Sequence, residues 1–95
     1  MKFLIRWTNH ADKRHEALKA FSAMPAGDPV GDGGDKIKLI GRWHDLAAGN
    51  GVAICESDDI NALSKWALNW NQSLDVEVAP VVDDAEAKAI GKTLG

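Results

Sequence analysis

The sequence predicts an α+β fold with the order βαββαβ and a short C-terminal helix, and three observations carry that prediction. Apolar side chains alternate with period two in residues 2–8, 37–47, 51–57 and 76–82, the pattern of half-buried strands. They recur every three or four residues in 12–24 and 58–74, as on one face of a helix. Pro80 has no N–H for a strand ladder, so the last strand belongs at a sheet edge. Right-handed crossovers turn this order into a four-stranded antiparallel sheet, spatial order 4-1-3-2, with two helices on one face. The fourth strand is an edge in that arrangement, as Pro80 requires.

Each element has a local reason. In the first strand Phe3, Ile5 and Trp7 point one way, and Leu4, Arg6 and Thr8 the other. Asp12 is placed to cap the first helix, Ala17, Leu18, Phe21 and Met24 form its apolar stripe, and Pro25 stops it. PAGDPVGDGGD, residues 25–35, has no periodicity and reads as a mobile loop. Ala48-Gly49-Asn50 joins the second and third strands as a hairpin. Asp58 or Asp59 opens the second helix, with Ile60, Leu63, Trp66, Ala67, Trp70 and Leu74 on its apolar face. Asp83 and Glu86 make a capping-box pair for a terminal helix ending near Leu94.

Length and composition set bounds. The 95 residues suit one domain, 1–95, and 45% hydrophobic content supports a core. A net charge of −3 argues against nucleic acid or an anionic membrane as partner. No run approaches the roughly 20 apolar residues of a membrane span, and the N-terminal apolar run is too short for a signal peptide. Cys55 is the one cysteine, which suits a reducing cytoplasm.

Strand parity sorts the chemically interesting residues in Leu39-Ile40-Gly41-Arg42-Trp43-His44-Asp45. Ile37, Leu39, Gly41 and Trp43 share one face, and Lys38, Ile40, Arg42 and His44 the other. A three-residue hairpin puts Arg42 and His44 beside Ala53 and Cys55, and Arg6 joins them on the face without helices. Arg6 and Arg42 would then offer forked donors to an anion, and His44 a proton near neutral pH. The competing reading pairs these cations with Asp45, Glu56 or Glu77.

Trp7 and Trp43, facing Trp66 and Trp70, either wall a cavity for a flat ligand or fill the core. Leu4, Ile40, Ala53 and Cys55 would leave an apolar patch on the uncovered face, which a second copy would bury sheet against sheet. His10, His15 and His44 lack metal-ligand spacing, so no metal or other cofactor is expected. Glu86 stands where a phosphate loop ending in Gly91-Lys92-Thr93 would need its first glycine.

Leu39–Asp45, then Gly51-Val52-Ala53 and Glu56, then Trp66-Ala67-Leu68-Asn69-Trp70 resemble a family of small bacterial proteins classed as a domain of unknown function. The opening strand Phe3–Trp7 and the closing strand Val76–Val81 extend the resemblance over most of the chain. The resemblance implies a ferredoxin-like fold of the dimeric α/β-barrel type, and it brings no activity and no catalytic residues.

Together these readings describe a small cytoplasmic homodimer that binds an anionic or aromatic ligand through Arg6, Arg42, Trp43 and Trp70. The alternative is a cofactor-independent enzyme of the dimeric α/β-barrel class, monooxygenase- or isomerase-like, with His44 as acid or base. A partner-binding adaptor is the third reading.

Overall fold

The computed structural model describes residues 1–24 and 34–95. The elements are β1 (Lys2–Asn9), α1 (Arg14–Ser22), β2 (Lys38–Asp45), β3 (Asn50–Glu56), α2 (Ile60–Trp70), β4 (Leu74–Val81) and α3 (Asp84–Gly91), then a 3-10 turn, Lys92–Leu94. The four strands form one open antiparallel sheet in the order β2-β3-β1-β4, which is 4-1-3-2 read from the β4 edge. Pro80 therefore lies on an edge strand. The stretch read as a loop falls almost wholly on residues 25–33, outside the described residues.

Local chemistry explains most boundaries. The Asp59 carboxylate accepts from the backbone N–H groups of Asn61 and Ala62 at 3.0 and 3.1 Å, satisfying two orphan donors at the start of α2. Ser57 is buried, donates to the Lys36 carbonyl at 2.8 Å and accepts from Asp59 N–H at 3.0 Å. It therefore ties the entry of β2 to the start of α2. Asp83 and Glu86 form the expected capping box, and Lys2 bridges both at 3.4 Å. Hydrogen bonds and charge from Asp83 and Glu86 raise the Lys2 ammonium above its usual range. The hydrogen bond from the Glu86 N–H lowers the Asp83 carboxyl, desolvation opposes it, and Lys2 adds to the lowering.

Three boundaries differ from the expectation. Asp12 does not cap α1. A turn from Lys13 N–H to the His10 carbonyl puts Lys13 at the cap, and no side chain caps there. Helix α2 ends at Trp70 because Ser73 N–H turns back to the Trp70 carbonyl, which leaves Leu74 to open β4, buried. The β2–β3 hairpin has a four-residue loop, Leu46 to Gly49. The Asp45 carbonyl accepts from Gly49 N–H and the Asp45 carboxylate from Ala48 N–H, with Gly49 at φ +73°. That left-handed conformation suits a residue without Cβ.

The core lies between the sheet and α2, formed by Phe3, Ile5, Ile37, Ala53, Cys55, Leu63 and Trp66, with Trp7, Trp70 and Val76 packed against it. Register and burial decide the faces. Phe3 opposes Cys55, Ile5 opposes Ala53 and Trp7 opposes Gly51, so Ala53 and Cys55 line the helix-covered face, not the open one. On β2 the pairing shifts between Leu39 and Gly41. Leu39 opposes Cys55, Gly41 opposes Ile54, and Ile40 is the extra residue of a bulge. The bulge inverts the parity of everything after it.

Candidate functional site

Arg42 opposes Ala53 and His44 opposes Gly51, so both side chains lie on the covered face with Ile5 and Trp7. Trp43 opposes Val52, which opposes Arg6, and these three share the open face. Two expectations are thereby corrected. Arg6 does not converge with Arg42 and His44, and Trp43 does not face the helices with Trp7. One inserted residue moves a side chain to the other side of the sheet because strand side chains alternate with period two.

Helix α1 meets Arg42 and His44 from above. The Arg42 guanidinium lies over the Phe21 ring, 4.7 Å from its centroid, in cation–π geometry. The His44 imidazole packs against Phe21 at 4.9 Å and edge-on to Trp7 at 5.3 Å. Burial, and secondarily the positive charge of Arg42, hold its pKa below the ordinary imidazole value, so neutral His44 is favoured. Arg14, from the first turn of α1, lies against Gly49, where an added Cβ would stand 2.7 Å from its Nε. Trp7 lies so close over Gly51 that no Cβ fits between them.

These residues rim a cavity of about 300 Å³ between sheet and helices. Its walls include Trp7, Phe21, Trp66 and Trp70, with Arg14, Arg42 and His44 among its polar lining. The cavity is apolar along the core side, and where β2 faces α1 its lining holds Arg14 and Arg42 together with Asp45. Aromatic walls of this kind can hold a ring system by dispersion and stacking, and the two guanidinium groups offer donors to an anion.

Of the residues picked from sequence, Arg42, His44 and Trp70 come together at this cavity, while Arg6 and Trp43 border a shallow open-face groove with Thr8 and Val52. The sequence reading placed Phe21 in a core stripe and singled out no role for Arg14. Their signal was spacing, since Arg14, Leu18 and Phe21 stand at i, i+4 and i+7 and share one helix face.

The remaining titratable groups have other settings. His10 pairs with Asp75 at 3.0 Å. Burial pushes the Cys55 thiol up, away from its reactive thiolate form. Among the described residues no group of three His, Cys, Asp or Glu side chains is placed to hold a metal, and no helix is long and apolar enough to cross a membrane.

The sheet, its two covering helices and the aromatic cavity define a small α+β protein with ferredoxin-like connectivity. The chain belongs to the family described as a domain of unknown function, DUF3303, which it matches over residues 1–95. Two similar solved structures are SCO4226 from Streptomyces coelicolor A3(2) and an uncharacterized NIPSNAP domain protein from Burkholderia xenovorans. The first is 16% identical, covering 86% of this chain and 98% of its own, with a TM-score of 0.47. The second is 14% identical, covering 88% and 97%, also at 0.47. No curated protein matches the chain. No activity is assignable from these likenesses.

Proposed function

We propose that this chain is a single-domain, homodimeric binding protein that takes a small aromatic anion into the cavity between sheet and helices. One observation carries the reading: Trp7, Phe21, Trp66 and Trp70 wall a cavity of about 300 Å³ whose polar lining includes Arg14 and Arg42. That volume is at the lower end for small-molecule sites, enough for a compact ring compound. Arg42 and Trp70 serve the ligand in this reading, with the anion toward β2 and the ring toward α2. A cytoplasmic setting goes with it, supported by a lone, buried thiol.

The dimer has separate support on the open face. Ile54, Leu4 and Ala79 form one cross-strand row, and the next runs Trp43, Val52, Arg6 and Glu77, so the apolar band is bordered on β1 and β4 by one cation and one carboxylate. Lys38, Glu56 and Lys2 flank it at one end, and Asp45, Asn50, Thr8 and Asp75 at the other. An apolar centre with a polar rim is the anatomy of a protein interface. Two such sheets stacked about 10 Å apart would form an eight-stranded dimeric α/β barrel. Arg6 and Trp43 then belong to the subunit contact and not to the ligand site.

The test is a tryptophan-fluorescence and NMR titration with three probes of one shape: 2-naphthoate, 2-naphthylmethanol and 2-naphthylmethylammonium. The reading expects naphthoate to bind tightest and to shift the indole N–H signals of Trp7 and Trp70. Equal affinity for all three, or no shift at those indoles, would overturn it.

A second reading has its own observation. His44 lines the cavity and is held toward its neutral form, as a general base must be. A cofactor-independent enzyme using His44 as acid or base would show a rate that His44→Gln abolishes while ligand affinity survives.

A further inference from the structure

The C-terminal arm is the part of the molecule that its own chain does not explain. Every residue of 82–95 is exposed, with Val82 at 52%, Ile90 at 59% and Leu94 at 90%. Ile90 and Leu94 are four residues apart and share one side of the arm, and Val82 precedes its cap. Helices shorter than about 12–15 residues are marginal in water without tertiary packing, and α3 has eight. Its start is nevertheless well specified by the capping box and by Lys2, which sits in the charged row at the rim of the open face. The described chain is correspondingly long, 51 × 28 × 22 Å, with a radius of gyration of 15.0 Å against the roughly 12 Å of a compact chain this size.

We infer that α3 and its 3-10 turn are an exchanged arm. They pack the Ile90–Leu94 side onto a second copy of this chain, over Ile40 and Trp43 at the β2 edge of its open face. The inference rests on the dimer proposed above. Area argues for it. The flat overlap of two four-stranded sheets is about 400 Å² per copy from strand spacing and rise, half of the roughly 800 Å² per partner in a standard interface. The arm is about 18 Å long and about 10 Å wide. Because each copy lends one arm and receives another, exchange nearly doubles the sheet contact and reaches the standard size.

Exposure points to the receiving surface, Ile40 and Trp43 on β2, and a two-fold axis along the strands is the symmetry that brings it to the arm. Twisted sheets stacked face to face touch at their centre and part at their corners. A two-fold axis along the strands lays the β4 edge of one copy over the β2 edge of the other. An arm that leaves β4 therefore meets the partner's β2, where Ile40 and Trp43 stand 50% and 60% exposed, well above the half-buried Leu4, Val52 and Ile54 of the centre. Symmetry repeats the contact without any second kind of partner.

The experiment pairs sedimentation velocity with intermolecular paramagnetic relaxation on the full chain. A spin label on the Leu94→Cys variant is mixed with unlabelled-cysteine, isotope-enriched wild-type chain, in which buried Cys55 stays inert. The expected results are a wild-type dimer, an at least tenfold weaker dimer for the Ile90→Glu/Leu94→Glu double variant, and broadening of the Gly41–Trp43 amides. A wild-type dimer that the double variant leaves unchanged, or broadening absent from β2, overturns the arm exchange and leaves the sheet dimer standing. A wild-type monomer overturns both.

Discussion

The Arg42 guanidinium rests on the Phe21 ring, 4.7 Å from its centroid, and joins β2 to α1 across the mouth of the aromatic cavity. This contact makes one wall of the site both apolar and positive. In the proposed binding reading, Arg42 shares with Arg14 the role of meeting the anion.

Replacing Arg42 with Met keeps most of the stem that covers Phe21 and removes the charge. We expect 2-naphthoate affinity to fall roughly fivefold, about 1 kcal/mol, with 2-naphthylmethanol little changed. Isothermal titration of both probes against Arg42→Met checks this, and an equal loss for the two would deny the charge its role.

Gly51 should not tolerate a side chain. A Cβ there would run into the Trp7 ring and stand 2.6 Å from the Trp43 carbonyl oxygen. Overpacking of this kind costs about 1–3 kcal/mol. Urea unfolding of Gly51→Ala should show a lower midpoint at unchanged slope, together with altered Trp7 fluorescence.

His44 makes stability depend on pH in a definite direction. Burial and Arg42 lower its pKa in the folded chain, so the unfolded chain binds the proton more readily. Its contribution is fully present above the ordinary value of 6.5 and is lost as pH falls through the lower folded value. Denaturation midpoints from pH 7.5 to 5 should decline more steeply for wild type than for His44→Gln. An anion in the cavity should raise the His44 pKa, so naphthoate binding should take up protons, which titration in buffers of different ionisation enthalpy measures.

Leu63 anchors α2 to the sheet and is 1% exposed. Leu63→Ala should destabilise the fold by about 2–5 kcal/mol, by lost transfer energy and by the cavity left behind. A thermal melt measures the loss, and a change under 1 kcal/mol would mean that the core collapses around the gap.

Much of the architecture was legible because its signals are local. Alternation marked the strands, the Asp83–Glu86 pair marked the start of α3, and Pro80 assigned β4 to an edge, all from residues within a few positions of one another. Trp66 and Trp70 declared themselves by helical spacing on α2.

The site was not local, and only the tertiary structure decided it. Whether Arg42 and His44 meet Arg6 or Phe21 depends on one extra residue, Ile40, in the pairing of β2 with β3. A bulge changes no composition and leaves the hydrophobic alternation on each side intact, so nothing in the sequence marks the reversal. Hydrogen bonding between strands distant along the chain sets that register, and with it the side of the sheet on which the cations lie.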